Sequence, residues 1–134
     1  MIEAYVAAAV ALENLRLLQE EGIVDRARDE IAPYLAQRWA ELGGHRLVGE
    51  ARIAGMVGAL ELVPFKPDRR FFNERGSIGV MCRDFALEEG LILRATWDSM
   101  LLSPPLILDR AQVDELFEKA WRALNRTAAA LGMA

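Results

Sequence analysis

Nine residues near the start, Ala4-Tyr-Val-Ala-Ala-Ala-Val-Ala-Leu12, constrain this chain more than any other feature. Their composition favours a helix, and that helix is apolar nearly all round. Such a helix needs cover on both flanks. A chain of 134 residues builds about one hydrophobic core, which covers one flank and leaves the other for a partner or a missing domain. The helical character runs from Glu3 to Glu21, with Val6, Val10, Leu15 and Leu18 on overlapping faces and Gly22 as a stop. The 53% hydrophobic content is high for a free-standing domain and points the same way.

A second helix is predicted from Ile23 to Leu42, with Ile31, Leu35, Trp39 and Leu42 at helical spacing and Pro33 kinking or dividing it. The character then turns to β. Leu47 to Val63 reads as two antiparallel strands joined around Ile53-Ala54-Gly55, with Gly49, Gly55 and Gly58 marking bulges or close backbone approach. Pro64 to Gly76 is polar and reads as an exposed loop. Ser77 is expected to cap a helix that runs to Glu89. A strand over Leu91–Ala95, a turn at Thr96–Ser99 and a returning strand at Met100–Leu102 follow, stopped by Ser103-Pro104-Pro105. Asp109, with Gln112 three residues on, opens a closing helix through a capping box.

This order predicts an α/β (α+β) fold: a small, mostly antiparallel sheet of three to four strands with helices packed on one face. Residues 1–134 are expected to form one domain, with 1–21 a lead-in helix and 22–134 the α/β body.

Charge and composition exclude several function classes. The formal net charge is -4 with acids and bases interspersed, so no basic stripe is available for nucleic acid. No stretch approaches the ~20 apolar residues of a membrane span. There is no basic segment leading an apolar one, so the cytoplasm is the expected compartment. The single cysteine, Cys82, reads as a buried structural thiol and excludes a thiolate metal cluster. His45, the only histidine, follows two glycines and reads as an exposed turn residue, so neither a metal site nor a Ser-His-Asp triad finds support. No glycine-rich phosphate motif occurs.

The two lysines, Lys66 in the polar loop and Lys119 on the closing helix, are expected to be hydrated rather than activated as amine nucleophiles. An autonomous small enzyme working through Lys66 is the weakest of the readings. Arg94 stands among Leu91, Ile92 and Leu93, where a charge needs a partner. It is either an edge-strand arginine reaching solvent or pairing with Asp98 or Glu61, or a guanidinium held on a rigid strand to grip a carboxylate. Arg52 raises the same question, and a structural role is expected there.

The run Leu91-Ile-Leu-Arg94-Ala-Thr-Trp-Asp98-Ser-Met-Leu-Leu-Ser-Pro104-Pro105-Leu106 resembles a stretch near the C-terminus of class III aminotransferases. These are the ω-amino acid:pyruvate transaminases and their relatives, pyridoxal-phosphate enzymes of fold type I. Leu47-Val-Gly-Glu-Ala-Arg-Ile-Ala-Gly-Met-Val-Gly-Ala-Leu-Glu-Leu-Val63 resembles another stretch of that family, and the helices on either side agree in order. The resemblance covers the chain from Val6 onward. It implies that Arg94 binds the carboxylate of an amino-acid or keto-acid substrate, with Trp97 and Asp98 supporting the adjoining loop. It implies further that the cofactor-binding large domain, the Schiff-base lysine and the aspartate facing the pyridine nitrogen lie upstream. The family's phosphate-binding segment would precede Val6, where this chain has Met1 to Tyr5, which reads as a new start. Trp97 replaces the family's glycine before Asp98 and would narrow the entrance or alter the turn.

The expected function is thus the substrate-side C-terminal domain of such an aminotransferase, without catalytic, metal-binding or cofactor-binding residues of its own. It is expected to be inactive alone and to associate with the missing large domain or with itself. The alternative is a non-catalytic module that oligomerises or docks through the apolar face of its first helix.

Overall fold

The computed structural model describes residues 1–68 and 70–133. Helix α1 spans Ile2–Glu20, and Gly22, in the left-handed region at φ 59°, leads into α2 (Ile23–Arg26). A π-type turn over Ala27–Ile31 joins α2 to α3 (Ala32–Leu42). The helix expected over 23–42 is therefore broken in register, as the proline inside it predicted. The cause is Pro33, which has no N–H for the carbonyl of Asp29, and the wider turn absorbs the missing bond.

The sheet is formed by β1 (Val48–Ala54), β2 (Val57–Leu62), β3 (Arg94–Thr96) and β4 (Ser99–Leu102), all pairs antiparallel, in the order β1-β2-β4-β3. Between β2 and β3 lie a short 3-10 turn at Lys66–Asp68 and helix α4 (Ser77–Glu88); α5 (Arg110–Ala130) closes the chain. The four-stranded antiparallel sheet with helices against one face is the architecture that the sequence predicted.

Strand alternation sorts the side chains. Leu60, Leu62, Met100 and Leu102 point into a core built with Leu35 and Trp39 of α3, Cys82 of α4, and Val113 and Leu124 of α5. Trp39 is the largest buried side chain, and its indole N–H donates to the Arg52 carbonyl at 2.9 Å. Gly58 exists to admit that ring: a Cβ there would lie 2.8 Å from Trp39 Cε2. Gly49 marks a register shift between Val48 and Glu50, so both glycines serve the roles expected of them.

Three local expectations are corrected. Helix α1 has no buried residue, so neither flank is covered, because it packs on the adjacent α2 and not on the sheet. The strand expected over 91–95 starts only at Arg94; Leu91 and Leu93 are buried but unpaired with β4. The turn is accordingly the two residues Trp97-Asp98. Third, His45 is only 5% exposed. Its Nε2 lies 3.2 Å from Asn125 Oδ1 on α5, its Nδ1 accepts the Leu47 N–H at 3.1 Å, and its ring meets the edge of Trp121. Two glycines before a histidine suggested a solvated turn, but this ring ties the α3–β1 connection to α5.

That burial lowers the His45 pKa, and the nearby positive charges of Arg46 and Lys66 act in the same direction. The unfolded chain takes the proton first, so the stabilisation is complete above the ordinary value of 6.5 and is lost as pH falls below it. The urea midpoint of the native chain is expected to be lower at pH 5 than at pH 7.5. The drop should be smaller in His45→Asn, whose side chain does not titrate.

Candidate functional site

The face of the sheet away from the helices carries a different set of side chains. The pairings place Arg52, Ala59, Leu101 and Arg94 in one row across all four strands. The next row is Glu50, Glu61, Ser99 and Thr96. No helix covers these rows: Ala59 and Leu101 lie between Arg52 and Arg94, and Ser99 and Thr96 continue the next row from Glu50 and Glu61.

Arg94 is the first residue of edge strand β3 and is exposed. Neither of the structural partners that the sequence offered it pairs with it. Glu61 lies 3.7 Å from Arg52, and Asp98 is buried with both oxygens occupied. Among the described residues no carboxylate pairs with Arg94. A shallow cavity of about 270 Å³, bounded by Val57, Ile92, Leu101 and Ser103, opens at its side chain. A guanidinium on a paired strand beside an apolar floor can accept a carboxylate through two parallel hydrogen bonds. Arg52 is held by Glu50 at 3.4 Å and by Glu61, a loose and exposed cluster of the kind that contributes little to stability.

Asp98 works on the backbone. Its Oδ2 accepts from the Gly76 N–H at 2.9 Å, and its Oδ1 from those of Gly79 at 3.0 Å and Ile78 at 3.2 Å. It thus satisfies the N-terminus of α4 from the tip of the β3–β4 hairpin. Ser77, the cap expected from sequence, is the first helical residue, and its hydroxyl donates to the Glu74 carbonyl instead. The residue at the cap position is Gly76, which has no side chain to offer, so the acid has to come from across the domain.

Trp97 holds a positive φ of 53°, the only described non-glycine residue to do so, and the residue is 64% exposed. This conformation costs an indole-bearing residue about 1–2 kcal/mol relative to glycine. The ring lies under the Arg75 guanidinium, 5.3 Å from its centroid, and Arg75 also lies 4.3 Å from the Phe71 ring. Sequence reading passed over Arg75 and Phe71, because a polar loop without periodicity gives no sign of which side chains fold back.

Cys82 is buried, and desolvation raises its pKa to about 11, which makes it inert as a nucleophile. Among the described residues no cluster of three metal-ligating side chains occurs, and no helix is long and apolar enough to cross a membrane.

No protein-family profile matches the chain. Individual relatives do. A putrescine–pyruvate aminotransferase of Pseudomonas aeruginosa is 53% identical over 126 residues, covering 94% of this chain. A diaminobutyrate–2-oxoglutarate transaminase of Halomonas elongata is 36% identical over 92% of the chain. This chain is homologous to the C-terminal part of the aminotransferases. It spans 27% of the length of each of these two relatives. Solved structures agree. An omega transaminase from Pseudomonas jessenii in complex with PMP superposes with a TM-score of 0.89 at 35% identity, over 95% of this chain and 28% of its own. A transaminase with L-Ala gives the same TM-score at 38% identity, over 95% of this chain and 29% of its own.

The chain's own lysines do not fit a Schiff base with pyridoxal phosphate. Lys66 Nζ donates to the Gly43 carbonyl at the surface, and Lys119 Nζ is ion-paired with Glu115 at 2.6 Å. A solvated or ion-paired ammonium is not an activated amine. Lys119 is more covered than the sequence suggested, since its stem lies along Gly90 at the start of the 91–93 segment.

Proposed function

We propose that this chain is the substrate-side C-terminal domain of a cytoplasmic, class III pyridoxal-phosphate-dependent aminotransferase. Residues 1–21 lead in and 22–134 form one α/β domain. The longer enzyme moves an amino group between an amine or ω-amino acid and a keto acid such as pyruvate. The lysine and the cofactor site belong to the remainder of that enzyme, so this chain alone does not transaminate. Arg94 holds the carboxylate of the amino-acid or keto-acid substrate and orients it, while Asp98 and Trp97 fix the hairpin from which Arg94 projects. One observation carries the reading: in a chain homologous to aminotransferases, Arg94 is strand-mounted on an uncovered face without a carboxylate partner among the described residues.

The test is a transplant. This chain replaces the matching region of the Pseudomonas aeruginosa putrescine–pyruvate aminotransferase, and steady-state transamination is measured. The chimera is expected to be active. Arg94→Gln should raise the KM for pyruvate by about 10- to 100-fold, which corresponds to losing a charge-assisted pair of about 1.5–3 kcal/mol. An unchanged KM would remove Arg94 from this role.

A second reading has its own observation, the apolar helix α1 without a buried residue. There the chain is a non-catalytic module that self-associates or docks to a separate large-domain chain through Val6, Val10 and their neighbours. A folded but inactive chimera, together with concentration-dependent oligomers of the isolated chain, would favour it.

A further inference from the structure

We propose that His45 is a proton-operated catch: its neutral ring ties the α3–β1 connection to α5, and protonation opens that corner while the rest of the domain stays folded. The ring's bonding admits only the neutral form. Nδ1 accepts the Leu47 N–H at 3.1 Å, and a backbone N–H can only donate, so Nδ1 carries no proton. The proton of the neutral ring is therefore on Nε2, which lies 3.2 Å from Asn125 Oδ1 and donates to it. An imidazolium donates from both nitrogens, so a second proton sets N–H against N–H at Nδ1.

The pocket gives that second proton no support. The charges acting on the ring are Arg46, next in the chain, and Lys66, from the turn at Lys66–Asp68, and both are positive. From α5 the ring meets the neutral Asn125 and the edge of Trp121. Burial keeps solvent from spreading the added charge, so the ring has to leave its place in order to hold the proton.

What the ring holds is a short stretch with its own bonds. The His45 carbonyl accepts the Val48 N–H at 3.0 Å, and the Leu47 carbonyl accepts the Val63 N–H at 2.9 Å. Lys66 Nζ donates to the Gly43 carbonyl. Gly43 and Gly44 precede the ring, and the register shift between Val48 and Glu50 follows it. Backbone movement can be absorbed at both of these places, which leaves α3 and the centre of the sheet undisturbed. There Leu60 pairs with both Ala51 and Met100. Release of the ring therefore frees the start of β1, the Val63 end of β2 and the Lys66 anchor together.

The experiment uses the full chain and its only histidine. The ring Cε1–H signal is followed by NMR between pH 7.5 and pH 5, and amide hydrogen exchange is measured over the same range with and without sub-denaturing urea. Leu47, Val48 and Val63 are expected to lose about 10- to 30-fold of their protection across that range, the effect of one proton on a group whose ordinary value is 6.5. Sub-denaturing urea should leave their exchange unchanged, because a local opening exposes little new surface. The same urea should accelerate exchange at Leu60 and Met100, which open only with the whole fold. His45→Asn, which does not titrate, should keep its protection at Leu47, Val48 and Val63 as the pH falls. One common urea response at all five amides overturns the catch, since the opening is then global. A ring that titrates while Leu47 stays protected overturns it as well, and that readout needs no variant. An equal loss of protection in His45→Asn assigns the opening to another group and overturns it too.

Discussion

Gly79→Ala is expected to destabilise the chain by about 4 kcal/mol or more, enough to leave it largely unfolded if its stability is ordinary for its size. A Cβ at this position would sit 2.0 Å from the Trp97 carbonyl oxygen, 3.0 Å from its carbonyl carbon and 3.1 Å from Asp98 Cα. All three are backbone atoms, so no side-chain rotation relieves the overlap. Nor can the helix retreat easily, because the Gly79 N–H is bonded to Asp98 Oδ1 at 3.0 Å and the neighbouring Ile78 N–H to the same oxygen. The hairpin is equally tied, since the Asp98 carbonyl accepts the Leu62 N–H of β2 at 2.8 Å. Relieving the methyl therefore means breaking the helix cap, the strand contact or both. Urea unfolding measures the effect. A loss under about 1 kcal/mol would mean that the hairpin slides on α4 at little cost, and that the hairpin does not fix Arg94 in place.

This seam between hairpin and helix also shows what the sequence makes legible. Periodicity located α3, the β1–β2 pair, α4 and α5, because each buries one face against a common core and apolar spacing is the imprint of that burial. The Asp109–Gln112 capping box was readable for the same reason: both partners lie within one turn of chain. What could not be read was every contact closed over a long stretch of sequence. The cap of α4 comes from Asp98, about twenty residues downstream, while the adjacent Ser77 offered a nearer and wrong answer. His45 is buried by Asn125 and Trp121 of α5, which no local pattern announces. Arg94 was conspicuous as a charge among leucines. That it stands without Glu61 or Asp98 became apparent only when both acids were seen to be engaged elsewhere. The ring contacts of Arg75 were invisible, because they arise from Phe71 and Trp97 meeting it in a loop without periodicity.

Asp98→Ala is expected to cost about 2–4 kcal/mol, and Asp98→Asn roughly half of that. The alanine removes the acceptor for three N–H groups in the first turn of α4, two of them on residues that are buried. Buried donors left without partners carry their full desolvation penalty, which is why this change exceeds an ordinary surface cap. It also removes a negative charge from the positive end of the helix dipole. Asparagine keeps one side-chain oxygen in place, so Oδ1 can still serve Ile78 and Gly79 while the contact to Gly76 is lost. The order native, Asn, Ala in urea midpoints is therefore the expected outcome, with faster amide hydrogen exchange at Gly76, Ile78 and Gly79 in the alanine variant. Equal stability of Asn and Ala would show that charge alone matters and the geometry does not. In that case the hairpin would be free to shift relative to α4, and Arg94 with it. A graded series places the carboxylate's geometry, and not only its charge, at the centre of how the hairpin is held against α4.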